Sequence, residues 1–212
     1  MVLSIVERIK GFLFSPSETF DASRGDTLGD AFKYFIVILA IYAVLVAIIV
    51  AVAFSLFAGM FGTFGVPAMP LGVAAGPLVA VAFFVAAVVG GIIGVFISGL
   101  WLHIWVYLVG GRNGVEQTIK AVMYGETPSL ILGWIPIINL IAGIWALIVG
   151  IIGIRQLHGI STGKAVLAVV LAIIIPAVII GLLIAAFGHS MPGTGFPGPT
   201  GLHKGPGFGG FP

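Results

Sequence analysis

Glu126 and His103 are the side chains of this sequence's apolar segments best suited to proton or ligand chemistry. Glu126 lies in YGETPSLILGWIP, residues 124–136, and no acidic residue follows it. A carboxylate at membrane depth must face the protein interior or a wet cavity, because lipid cannot solvate it. A rise of 1.5 Å per residue puts Glu126 roughly 10–13 Å in from the cytoplasmic end of its segment. His103 stands nine residues before Arg112, at about the same depth on the neighbouring antiparallel segment. The two could pair inside the bundle, or Glu126 could meet carbonyls freed near Pro128. The functional reading is a proton-linked or ligand-binding site on a polar path; the structural one is a hydrogen bond, or a third span that starts late and leaves Glu126 in the interface. Pro128 and Pro136 each remove a backbone donor, so the carbonyls they free must be satisfied by protein or water.

No catalytic constellation accompanies the pair. The apolar segments hold no Asp, and the chain has no H-E-x-x-H, G-x-S-x-G or Walker loop. The histidines stand apart from one another, which argues against a metal site. Cys is absent, which removes disulfides, thiolate metal sites and a cysteine nucleophile. GGRNG at 110–114 reads as a cytoplasmic turn, because no strand-to-helix context makes it a phosphate cradle. A formal charge of +2 is too small to argue for nucleic acid. The expectation is a non-enzyme without cofactor or metal.

The elements that must position these residues follow from composition. The 212 residues are 60% hydrophobic and 8% charged, more apolar surface than a soluble domain of this length can cover. The fold class is therefore all-α, a polytopic membrane helical bundle. A span needs about 20 apolar residues. Five are expected, near 35–57, within 78–109, and near 119–135, 137–154 and 166–187, with Pro176 kinking the last. The third and fourth are separated by almost nothing, so four spans with a broken or re-entrant segment is the other reading. Arg8, Lys10, Arg24 and Lys33 precede the first span, Arg112 and Lys120 follow the second, and Arg155 and Lys164 follow the fourth. With five crossings, a cytoplasmic N-terminus and an outside C-terminus, every basic residue except Lys204 falls on the cytoplasmic side of the cell membrane.

The ends are not spans. Val2, Ile5, Val6, Ile9 and Leu13 recur at helical spacing, while Glu7, Arg8 and Lys10 lie elsewhere on the wheel. This suits an amphipathic helix in the cytoplasmic interface, the alternative being a helix packed on the ends of the spans. Thr27 or Asp30 is placed to cap the first span. The organisation is thus 1–33 helix and connector, 34–187 transmembrane domain, and 188–212 a Gly- and Pro-rich tail expected to be disordered. Ala82, Ala86, Gly90, Gly94 and Ser98 form a flat ridge at four-residue spacing. It is read as a helix-packing ridge within the bundle, or as the seam of a homo-oligomer. Trp101, His103, Trp105 and Tyr107 lie near the cytoplasmic end of the second span and read as interfacial anchors.

FLFSPSETF at 12–20, AVMYGETPSLILGWIPIIN at 121–139, IWALIVGIIGIRQLHGIS at 144–161 and GKAVLAVVL at 163–171 together resemble the Yip-domain membrane proteins, the Ypt-interacting-protein family. The resemblance covers roughly residues 12–187. It implies a five-span bundle with a cytoplasmic N-terminus. It also implies that Tyr124, Gly125, Thr127 and Pro128 are the family's third-span motif, and that Arg155, His158 and Lys164 are its cytoplasmic junction. None of these is implied to be catalytic. Eukaryotic members resemble adaptors for Rab-type GTPases, but their long N-terminal region with its DLYGP-type motif has no counterpart here. The chain looks more like the compact prokaryotic members. Two functions follow as expectations. One is a membrane scaffold or adaptor whose partners are the bilayer, other membrane proteins or a second copy. The other is a small transporter or channel with Glu126 and His103 lining its path.

Overall fold

A computed structural model describes residues 3–63 and 75–188. Beyond Gly188 the expected tail lies outside the described residues, as does Val2. The chain divides into two compact units, Met1–Ala172 and Ile173–Pro212.

In the first unit a short pair of helices, α1 (Ile5–Phe14) and α2 (Pro16–Ala22), leads into the long α3 (Leu28–Thr63) and α4 (Ala75–Leu108). Then come α5 (Val115–Gly125), the single-turn-scale α6 (Thr127–Leu132), α7 (Pro136–His158) and the start of α8 (Thr162–Gly188). The second unit comprises, among the described residues, the rest of α8, with Pro176 inside it.

Local chemistry sets these boundaries. Ser4 and Glu7 form a reciprocal capping box at the start of α1. Thr27 and Asp30 form another at the start of α3: each backbone N–H donates to the other's side chain, at 3.1 and 3.2 Å. Both residues expected to cap the first span therefore do so together. Pro16 opens α2 and Pro136 opens α7, positions where a missing N–H costs nothing. Gly159 ends α7 at φ +63, a left-handed cap that favours glycine.

Four described helices are long and apolar enough to cross a membrane: Leu28–Met60, Gly76–Leu108, Pro136–His158 and Thr162–Phe187. The chain is a multi-pass membrane protein. The expected third span, 119–135, is not one such helix. It is divided between α5 and α6, broken at Glu126 (φ −72, ψ −5), with residues 133–135 linking it to α7.

The carbonyls that the two prolines cannot serve both find other donors. Pro128 has no N–H to give the Tyr124 carbonyl, so the Thr127 hydroxyl donates to it instead, at 2.6 Å. Pro136 likewise cannot serve the Leu132 carbonyl, which takes the Ile135 N–H at 3.2 Å. Asn139 donates to the Gly133 carbonyl at 2.6 Å and the Trp134 indole to that of Ile131 at 3.0 Å.

On α1, Ile5 and Val6 of the apolar stripe are exposed, while Arg8 and Phe12 form the face buried against the protein. Arg8 turns inward because it finds anionic and hydroxyl partners there. One expectation is corrected: the ridge Ala82, Ala86, Gly90, Gly94, Ser98 does not pack within the chain, since all five residues are exposed. A Cβ on Gly90 or Gly94 would meet nothing within 4 Å. The close approaches are made by the other face of α4: a Cβ on Gly91 would strike Leu39, and one on Gly99 would strike Ile119.

Candidate functional site

The motif at 124–128 sits where α5 and α6 meet the N-terminal helices. α5 lies so close to α7 that a Cβ on Gly125 would come within 3.0 Å of the Gly150 Cα. One turn further along α7, a Cβ on Gly153 would run into the Phe20 ring. These two glycines let α2 and α5 press onto α7. Phe12 and Phe20, both fully buried, complete the wall around Tyr124. Phe12 stacks on the Tyr124 ring at 4.7 Å, and Phe20 meets it edge-on at 6.1 Å.

Into this apolar surround the chain brings a closed polar network. Arg8 of α1 forms an ion pair with Asp26 through two nitrogens and donates to the Tyr124 hydroxyl at 2.7 Å. The Tyr124 hydroxyl in turn donates to Asp26 at 2.6 Å. Lys120, one turn before Tyr124 and almost fully buried, donates to the Asp26 carbonyl at 2.6 Å. Thr127 links the network to α3 through the Tyr34 hydroxyl, at 3.0 Å. The Trp145 indole of α7 donates to the Leu13 carbonyl at 3.0 Å. Burial raises the Asp26 carboxyl, but the hydrogen bonds from Arg8 and Tyr124 and the charges of Arg8 and Lys120 outweigh it, leaving it below its ordinary value. Burial pulls Arg8 down, and Asp26 and Tyr124 more than restore it. A buried ion pair tolerates desolvation only when its remaining hydrogen-bonding capacity is filled, and here Tyr124 supplies that filling.

Glu126 and His103 do not meet as expected. Glu126 faces a niche of about 210 Å³ whose other lining includes Gly94, Ser98, Leu39 and Leu130. His103 instead contacts the Thr118 hydroxyl through Nδ1 at 2.8 Å, and the same hydroxyl contacts His158 Nε2 at 2.9 Å. Thr118 precedes Glu126 by about 12 Å of helix at 1.5 Å per residue, so the two groups belong to separate clusters. The α4 residues beside Glu126 are Gly91, Gly94, Val95 and Ser98, more than a turn before His103, so the two groups stand at different depths.

The junction residues part in the same way. His158 is buried, its Nδ1 without a partner. Arg155 donates to Thr162 at 3.4 Å, and Lys164 approaches Gly110. Sequence reasoning did not single out Arg8, Asp26 and Lys120 as a unit. The one available signal was FLFSPSETF, whose Phe12 and Phe20 wrap the network. Among the described residues no group of three or more His, Asp or Glu is placed to hold a metal ion.

The Yip1 domain family matches residues 10–185. No curated protein and no solved structure matches the chain.

Proposed function

Because the chain belongs to the Yip1-domain family, we propose that it is a non-enzymatic scaffold or adaptor of the cell membrane. It crosses five times, with its N-terminus in the cytoplasm and its C-terminus outside. The observation that carries the scaffold reading is the closed network. Arg8, Asp26, Lys120, Tyr124 and Thr127 spend their hydrogen bonds on one another and on backbone, fastening the N-terminal helices to the bundle. Transport paths need several polar groups free to face one cavity.

Supporting the fifth crossing, Thr118 near the start of α5 contacts His158 at the end of α7, and α6 ends four residues before α7 begins. The broken α5–α6 arm thus covers much of the depth that α7 covers. Supporting an interfacial edge on α1, Ile5, Val6 and Phe14 are exposed beside Glu7 and Lys10, a composition suited to the cytoplasmic headgroup region. The partners are the bilayer and other membrane proteins, or a second copy seated on the outward ridge of α4. The alternative of a small transporter or channel draws on the carboxylate of Glu126 in its niche.

Reconstituted vesicles under an imposed pH gradient separate the two. The scaffold reading expects no proton flux above protein-free vesicles, in the wild type and in Glu126→Gln alike. Flux present in the wild type and lost in Glu126→Gln establishes the transporter instead. Reporters after Pro212 are expected outside, and reporters in 110–114 or 159–163 in the cytoplasm. A cytoplasmic C-terminus would sink the five-crossing topology.

A further inference from the structure

We propose that the end of α4 and the start of α8 form a binding site for the headgroup of an anionic phospholipid, held by Arg112 and Lys164. Two long side chains bridge the segments, in antiparallel order. The Trp101 indole donates to the Ala172 carbonyl at 2.9 Å, and nine residues on, the Lys164 ammonium lies 3.6 Å from where a Gly110 Cβ would stand. Arg112 folds back over the Tyr107 ring, 3.6 Å from its centroid. Both cations therefore lie at the C-terminal end of α4, Arg112 over its last turn and Lys164 at the Gly110 turn that follows.

Neither cation has an anion. Among the described residues the ion pairs are Arg8–Asp26 and Arg24–Asp21. Neither α4 nor the described part of α8 carries an Asp or Glu, and Glu116, which follows the loop, accepts from the Leu28 N–H. The cations are not needed to finish α4 either. Gly110 and Gly111 donate to the Tyr107 and Val106 carbonyls at 3.2 and 2.8 Å, closing the helix with its own backbone.

The surroundings choose the occupant. Below the cations, Ile104, Tyr107 and Leu108 of α4 and Val166, Leu167 and Val170 of α8 are exposed apolar side chains on two membrane-crossing helices. An anion bound there carries acyl chains past those residues, which a soluble phosphate does not. Two basic groups at a membrane surface, with aromatic anchors beside them, match the chemistry of a lipid phosphodiester. The proposal goes beyond the scaffold reading but rests on its five-crossing topology, because the end of α4 and the start of α8 share a face only when both α5–α6 and α7 cross between them.

The test uses the full chain, purified in detergent with phosphatidylglycerol and phosphatidylcholine of matched acyl chains, and read by native mass spectrometry. Phosphatidylglycerol is expected to be retained preferentially. The double variant Arg112→Gln, Lys164→Gln is expected to lower that preference on the order of tenfold. Lys10→Gln changes charge at an exposed position elsewhere and is expected to leave it intact, while Arg112→Lys keeps most of it. Thermal unfolding shows that each variant is folded. Equal retention of the two lipids overturns the proposal, as does a Lys10→Gln effect as large as that of the double variant. Displacement by inorganic phosphate or glycerol phosphate overturns it in favour of a soluble anion.

Discussion

Arg8 donates to the hydroxyl of Tyr124 at 2.7 Å across 116 residues of chain, and this contact fixes the N-terminal helices to the centre of the family motif. It makes the motif tyrosine a fastening as well as a packing residue. The ring receives Phe12, and the hydroxyl receives Arg8 while donating to Asp26.

Tyr124→Phe keeps the ring and removes the hydroxyl, so the expected cost is about 1–2 kcal/mol of stability. Arg8→Ala removes the cation that ion-pairs with the Asp26 carboxylate and leaves only Lys120, which hydrogen-bonds to the backbone carbonyl of that residue, so the expected cost is larger, about 3 kcal/mol. Unfolding midpoints in detergent rank the two. A smaller effect for Arg8→Ala than for Tyr124→Phe contradicts the account of the ion pair.

Acid should release the N-terminal helices, and the sign follows from Asp26. Its folded pKa lies below the unfolded value. Its contribution is therefore complete above the unfolded value of about 3.9 and disappears as pH falls through the lower folded value. Amide exchange in α1 and α2 is expected to stay slow at about pH 5 and to rise only below about pH 4. Asp26→Asn should exchange fast at neutral pH and lose the acid step. An unchanged step in that variant would assign the transition to another group.

Gly125→Ala places a methyl against the backbone of Gly150, which cannot rotate away, so a loss of about 1–3 kcal/mol is expected. Gly94→Ala meets open space and should stay within about 0.5 kcal/mol of the wild type. Detergent melting of the two variants decides it. Equal destabilisation would mean that the outward ridge is occupied in the purified state.

Thr127→Val preserves shape and removes the hydroxyl that serves both the Tyr124 carbonyl and Tyr34. Two buried groups then lose a partner, at an expected cost of about 2 kcal/mol, whereas Thr127→Ser should recover most of it. Recovery by Ser and not by Val identifies the hydroxyl, not the methyl, as the part that matters.

Composition and family motifs made the class, the membrane and four of the spans legible, because long apolar runs carry their meaning locally. The α5–α6 break was legible as well, through Pro128 and Pro136. Arg8 was not. On a helical wheel its neighbours mark it as solvent-facing, and its partners lie 18 and 116 residues away. The ridge on α4 was misplaced for a different reason. Four-residue spacing shows that small residues share a face, but lipid and protein are both apolar, so spacing does not say which of them that face meets. Counting residues gave Glu126 and His103 the same depth, but α4 meets Glu126 at Gly94 and Ser98, more than a turn before His103, an offset between helices that counting along each chain segment does not register.

The lengths of the helices set the bilayer an uneven task. At 1.5 Å per residue, α3 and α4 are about 54 and 51 Å long, while α7 is about 35 Å. A hydrocarbon layer of about 30 Å suits α7 nearly upright. To hide the apolar residues of α3 as far out as Met60, the same layer must thicken beside the α3–α4 hairpin, or the hairpin must lean well over. Lipids around this protein therefore meet a hydrophobic mismatch that differs from one flank to the other, and thicker membranes relieve it on the hairpin side alone.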